Sequence, residues 1–163
     1  MTVRTMEDLF VETLKDIYYA EKKILKALPA MVKKAGDKKL KDALETHRQE
    51  TEGQVDRLEK VFKSMDVPAR GKKCEAIEGI IAEAKEHMQD IKDPEVLDAG
   101  MIGSAQAVEH YEITRYGTLI AWAKQLDRGD AIELLEANLE EEKNADLLLS
   151  QIAEAAVNEK AAA

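Results

Sequence analysis

The chain has 163 residues and a formal net charge of −9, from 33 acidic residues against 24 Lys and Arg. Its hydrophobic content of 45% is enough for one buried core, whereas 4% aromatic residues, 8 glycines and 3 prolines argue against sandwich and barrel folds. The pI near 5.0 argues against a duplex-DNA binder, because such proteins neutralise phosphates with clustered Lys and Arg.

The cysteine count and the lack of long apolar runs indicate the cellular compartment in which the protein is expected. A single cysteine, Cys74, forms neither an internal disulfide nor a thiolate metal site, which favours a reducing compartment. Residues 1–12 contain no apolar stretch of signal-peptide length, and no run of about 18 apolar residues, as a membrane span needs, occurs. We therefore expect a soluble cytoplasmic protein with no nucleic-acid or membrane partner.

Apolar residues recur three and four apart in the N-terminal part, which is typical of helices with one buried seam. The first helix is predicted to begin at a Thr5 cap and end near Lys34, and the second to run from an Asp37 cap to about Met65. The connection is so short that the two should form an antiparallel hairpin over 5–65. The predicted seams are Phe10, Leu14, Ile17, Glu21, Ile24, Leu28 and Met31, then Leu40, Leu44, His47, Thr51, Gln54, Leu58, Val61 and Met65.

A change in composition marks the middle of the chain. Pro, Gly and Lys residues predict a loop over 66–73, followed by a short helix over about 75–91. Together they form a crossover, 66–92, long enough to pass from one end of a bundle to the other.

The C-terminal part predicts a second hairpin, 94–157, whose first helix has an Asp93 cap and ends near Leu126. Asp130 is predicted to cap the last long helix, and the short Ala-rich tail is expected to fray. We expect one all-α domain over 1–163, an antiparallel four-helix bundle with a fifth short helix in the crossover. The predicted seams are Ile102, Ala105, Glu109, Glu112, Tyr116, Leu119, Ala123 and Leu126, then Leu135, Asn138, Glu142, Ala145, Leu149, Ile152 and Ala156.

Acidic residues occur near the midpoint of every long helix, on the seam or beside it. In an antiparallel bundle these midpoints share one height, so the acids should form a layer. An isolated carboxylate in a low-dielectric core costs several kcal/mol, so such a layer must be protonated, pair with cations or bind metal. The candidate metal ligands are Glu21, Glu50, Glu109, Glu112, Glu142 and Asp146.

Two divalent cations would balance four ionised glutamates. Oxygen-rich ligation without thiolates favours iron, with manganese or zinc as alternatives. His47 and Gln54 lie on the seam beside the acids, and the pattern leaves open whether His47 is a ligand, a partner of a ligand or a core histidine.

Five segments carry a family resemblance: "YYAEKKIL" around Glu21, "HRQETEGQVDRLE" from His47, "GKKCEAIEGII" in the crossover, "AQAVEHYEITRYGTL" around Glu109, and "LEEEKNAD" ending at Asp146. Over nearly its whole length the chain resembles the YciE/YciF family of ferritin-like stress proteins. The resemblance implies a ferritin-like bundle, a bacterial cytoplasmic stress protein and a homodimer.

Rubrerythrin and bacterioferritin, within the wider fold, hold two irons with one Glu from each of two helices and an E-x-x-H pair from each of the others. Here Gly53 and Ala145 stand where the histidines would be, while Gln54 and Asp146, one place later, could serve instead.

The first hypothesis is a di-metal protein whose redox cycle with oxygen or peroxide needs an external reductant. The second is a non-catalytic stress or structural protein whose acidic layer holds a stabilising ion or none. A third, iron storage, requires a cage of many subunits. In the first hypothesis the primary ligands are Glu21, Glu50, Glu112 and Glu142, completed by Glu109 and Asp146 and oriented by His47 and Gln54.

Overall fold

The computed structural model describes residues 2–163, and within them all regular structure is helical. The helices are α1 (Met6–Lys34), α2 (Lys38–Ser64), α3 (Glu75–Asp90), α4 (Pro94–Gln125), α5 (Gly129–Ile152) and α6 (Asn158–Ala161), with a π-helical turn (Ala153–Val157) between the last two.

Three of the predicted helix starts are confirmed by their caps. Thr5 and Asp8 form a capping box, in which the Asp8 amide donates to Thr5 Oγ1 (3.0 Å) and the Thr5 amide donates to Asp8 Oδ2 (3.1 Å). Asp37 Oδ1 accepts two amides at the start of α2, at 2.8 and 3.1 Å. Asp93 Oδ1 does the same for α4, at 3.0 Å each, and so all three helices begin where free N–H groups find carboxylate or hydroxyl oxygens.

Two aspartates in left-handed conformation end α2 and α4. Asp66 has φ 58° and Asp127 has φ 53°. The amide of the next residue, Val67 or Arg128, donates to the carbonyl five residues earlier, at 3.1 and 2.9 Å. This bond is typical of the Schellman motif, in which a residue with positive φ turns the chain out of the helix.

Replacing Asp66 by glycine should raise the free energy of unfolding by roughly 0.5 kcal/mol, because glycine adopts positive φ without the steric cost of a Cβ. Urea denaturation measures the change. As a control, Asp56→Gly in the interior of α2 should lose about 1 kcal/mol. Equal losses at both positions would contradict the assigned role of Asp66.

The predicted Asp130 cap of the last long helix is wrong. α5 begins at Gly129, directly after the turn at Asp127, so Asp130 lies in its first turn and makes no side-chain cap. The chain is helical as far as Ala161, since alanine is the best helix former and Val157 is buried against the bundle, and fraying of the tail stays a prediction.

Contacts at both ends show that α1 and α4 are antiparallel neighbours. At one end Arg128 pairs with Glu7, and at the other the Gly36 amide donates to Asp98 Oδ1 (2.8 Å). α1 also packs on α2, α4 packs on α5, and α3 covers α4 and α1 from outside.

The helices α2 and α5 are likewise antiparallel. Arg57 Nη2 lies 2.6 Å from Glu141 Oε1, and Lys160 Nζ lies 3.9 Å from Asp37 Oδ2 near the start of α2. Thus α1 and α5 run parallel across one diagonal and α2 and α4 across the other. The crossover therefore returns the chain to the end of the bundle where α2 began.

The predicted seams form the core. Every seam residue of α1 is buried, and in the other helices only Met65, Leu126, Ala145 and Ala156 are half-buried. Apolar layers at both ends of the bundle enclose a polar middle layer. No helix within residues 2–163 combines the length and apolarity that crossing a bilayer requires.

Candidate metal centre

Four buried side chains from three helices converge in the middle layer. His47 comes from α2, Glu109 and Glu112 from successive turns of α4, and Glu142 from α5. Each offers one ligand atom, and the four atoms lie within 4.8 Å of one another. Three carboxylates and one imidazole form a donor set that suits iron, manganese or zinc.

Many of the polar atoms in this cluster have no hydrogen-bond partner. Both carboxylate oxygens of Glu112 and of Glu142, together with Glu109 Oε2, are buried and unsatisfied. His47 Nε2 lies 3.3 Å from Glu109 Oε1 and 3.8 Å from Glu142 Oε2, distances of ion pairing, but neither ring nitrogen makes a hydrogen bond. Nearly all buried polar atoms in native proteins are partnered, and this concentration of unpartnered ligand atoms could hold a metal ion.

Glu21, from α1, adds a fourth buried carboxylate to the layer. The Tyr116 hydroxyl donates to its Oε1, and the Asn138 side-chain amide donates to that hydroxyl (3.0 Å). Arg57 Nη1 in turn donates to Asn138 Oδ1 (2.7 Å) and, through both Nη atoms, binds the carboxylate of Glu141. One oxygen of Glu21 is thus held in place, while Oε2 is buried and free for a cation.

Burial is the largest cause of the raised pKa values of these carboxyl groups, and neighbouring carboxylates add to it in most of them. The pKa rises to about 7 for Glu109 and to about 8 for Glu21, and it lies well above its usual range for Glu112 and Glu142. Burial lowers the pKa of His47, but the surrounding carboxylates outweigh it and the net direction is upward. Without metal the layer therefore retains protons near neutral pH.

Glu50 lies at the edge of the layer. It precedes the seam residue Thr51 by one position, which turns it about 100° away from the core axis. Its side chain is 33% exposed, and Oε2 lies 3.6 Å from His47 Nδ1. The structure places Glu50 beside the cluster rather than inside it, and its role as a primary ligand stays a prediction.

Asp146 and Gln54 are not part of the four-residue cluster. Asp146 accepts from His110 Nε2 and from Gln106 Nε2, both at 3.1 Å, on the outer side of α4 and α5. Gln54 is buried, and its Nε2 donates to Glu141 Oε2 at 3.1 Å. The assignment of Asp146 as a ligand and of Gln54 as an orienting residue is untested.

The sequence pattern did not indicate the hydrogen-bonded chain that ends at Glu21. Tyr116 and Asn138 occupy predicted seam positions, and a polar Asn in an apolar seam was a signal that it bonds to a buried group. Arg57 gave no such signal, because it lies off the seam and reaches the layer only through its long side chain.

This fold and this site define a ferritin-like helical bundle that encloses a carboxylate–histidine cluster. The model of the domain of unknown function DUF892 matches residues 5–162, and the chain belongs to that family. The chain is 42% identical to Protein YciF of Escherichia coli strain K12 over 162 residues, covering 99% of this chain and 98% of that protein. The predicted resemblance to the YciE/YciF family is confirmed.

Solved structures show the same fold. The crystal structure of the E. coli stress protein YciF superposes with a TM-score of 0.91 at 41% identity, over 96% of this chain and 99% of that chain. YcfI from Rhodopseudomonas palustris, described as "a putative structural protein", superposes with a TM-score of 0.90 at 49% identity, over 91% of this chain and 94% of that chain. A Xanthomonas campestris protein superposes with a TM-score of 0.74 at 21% identity, over 96% of this chain and 98% of that chain. This match shows a likeness of fold.

Proposed function

We propose that this protein binds a pair of divalent metal ions in its middle layer. The single observation that carries the proposal is the set of buried, unpartnered oxygens on Glu21, Glu109, Glu112 and Glu142 around the His47 imidazole. Four ionised carboxylates supply the charge that two divalent ions balance. These five residues would hold the ions, and Glu50 is close enough to His47 to join them from the edge.

Iron is the preferred metal, because the donor set is rich in carboxylate oxygen, includes one imidazole and lacks thiolate. Bound iron or manganese would supply electron exchange with oxygen or peroxide. The surrounding residues bury the carboxyl groups of the layer, and Tyr116 fixes Glu21. A role in a stress response is supported by the 41% identity to a structure described as a stress protein. Since Cys74 is the chain's single cysteine, electrons would come from an external reductant.

Elemental analysis of anaerobically purified protein tests the proposal, and we expect close to two divalent ions per chain. Glu21→Ala should lose stoichiometric metal, because no other carboxylate of α1 is buried. Glu140→Ala, an exposed position on α5, is the matched control and should keep full occupancy. Two ions bound by Glu21→Ala would contradict the role of Glu21.

A non-catalytic structural role is the second candidate, supported by the description given to the R. palustris relative. Both candidates share the metal, so chelation separates them only when stability and turnover are measured together. The redox role predicts peroxide consumption by the iron-loaded protein with an added reductant. Loss of thermal stability on chelation, without any turnover in the loaded form, would favour the structural role.

We also propose that the protein is a cytoplasmic homodimer. Support comes from two solvent-exposed leucines in sequence on α5, Leu147 (57% exposed) and Leu148 (41%). Light scattering after size-exclusion chromatography measures the mass. A particle of many subunits would instead support iron storage.

A further inference from the structure

An apolar chamber lies beside the metal layer. Its volume is about 460 Å³, within the range of roughly 300–1,000 Å³ typical of small-molecule pockets. Residues from α1, α2, α3, α4 and α5 line it, and His47 and Glu109 of the candidate metal centre form part of its wall. The chamber therefore reaches from the outside of the bundle to the proposed metal ions.

Small side chains leave this space open. Ala105 and Ala145 occupy seam positions in the same half of the bundle, where larger residues would fill the core. The remaining wall is mostly aliphatic, and such a wall favours a hydrocarbon chain over a polar ligand. The larger apolar wall residues are Ile24, Leu28, Met31, Leu44, Ile81, Met88, Val108, Leu148 and Leu149.

Three lysines line the chamber at the edge where α1 and α3 contact each other. Lys23, Lys26 and Lys85 belong to its lining. Lys23 pairs with Glu78 at 2.7 Å, but Lys26 and Lys85 are exposed and form no ion pair with any other described residue in 2–163. Lys26 and Lys85 therefore leave positive charge at this edge of the chamber, whereas Glu50 and Glu109, the acidic lining residues not paired with a lysine, lie beside His47.

We propose that the chamber binds a straight-chain carboxylate, with its head group at Lys26 and Lys85 and its hydrocarbon chain directed toward His47 and Glu109. The two lysines set this direction, because they attract an anionic head group while the aliphatic wall between them and His47 accepts the hydrocarbon chain. The inference deepens the proposed function, since the bound chain would lie next to the metal ions as a candidate substrate.

Titration calorimetry of the full-length, metal-free protein with dodecanoate tests the proposal. We expect saturable binding with one ligand per chain. The double variant Lys26→Glu, Lys85→Glu should bind dodecanoate about tenfold more weakly, because two attractive contacts become repulsive. The matched control, Lys41→Glu with Lys60→Glu, reverses two exposed charges outside the chamber and should change affinity less than about twofold.

A second variant tests the cavity itself. Ala27→Phe inserts a ring into the chamber wall away from the metal layer and should weaken dodecanoate binding about tenfold or more. Wild-type affinity in both the double lysine variant and Ala27→Phe, or no saturable binding by wild type, would overturn the inference. Metal content measured on the same variants should stay at the wild-type value, so failure of this inference is distinguishable from failure of the metal proposal.

Discussion

Replacing Glu112 by leucine is expected to stabilise the metal-free protein by about 2 kcal/mol or more while abolishing stoichiometric metal binding. Glu112 is fully buried, both of its oxygens lack partners, and burial together with Glu142, Glu21 and Glu109 raises its pKa well above the usual range. An apolar side chain of similar size removes the cost of burying a carboxyl group that must either stay protonated or lose its solvation. Urea denaturation of chelated protein measures the gain.

Two variants make the expected gain specific. Glu112→Gln keeps the shape but cannot ionise, so it should retain part of the gain and still lose metal. Glu83→Leu, at an exposed position of α3, should change stability by no more than about 0.5 kcal/mol. If Glu112→Leu lowered the stability of the metal-free protein, Glu112 would have a structural partner that the geometry lacks.

The metal-free protein should also lose several kcal/mol of stability as pH rises from 5 to 8. The pKa of Glu109 is about 7 and that of Glu21 about 8 in the folded state, while both groups titrate near 4.5 when unfolded. Over this window the folded state holds protons that the unfolded state has released, so the free energy of unfolding falls with pH. The raised pKa of His47 contributes in the same direction.

Loaded protein should show the opposite trend, because protons compete with divalent ions for the same carboxylates and metal affinity rises with pH. Urea unfolding at several pH values, with and without metal, gives both curves. Glu112→Leu should flatten the metal-free curve, since it removes one of the interacting acids. A metal-free protein most stable at pH 8 would contradict the buried state of Glu109 and Glu21.

Most of the fold could be predicted from the sequence, because the seams and caps are local signals. The seam of α1 requires only that apolar residues recur three and four apart, and Asp37 and Asp93 act within their own first turns. The exact end of α4 was harder to predict. Gly129 indicated that the helix stops nearby, but the sequence did not show that Asp127 adopts the left-handed conformation that ends it.

The site was predictable where residues lie on a seam. Glu21, Glu109, Glu112 and Glu142 are seam residues, and all four are buried in the middle layer. Glu50 could not be placed in this way, because its position at the midpoint of α2 does not decide which side of the helix its side chain occupies.

The two halves of the polar layer are chemically unlike. α4 contributes two carboxylates and the Tyr116 phenol, whereas the corresponding turns of α2 contribute His47, Thr51 and Gln54 and no buried carboxylate. Two ions in this layer would therefore occupy inequivalent environments, one beside the imidazole and one beside Glu21. Metal uptake should consequently proceed in two steps of different affinity, and a mixed-metal centre becomes chemically accessible.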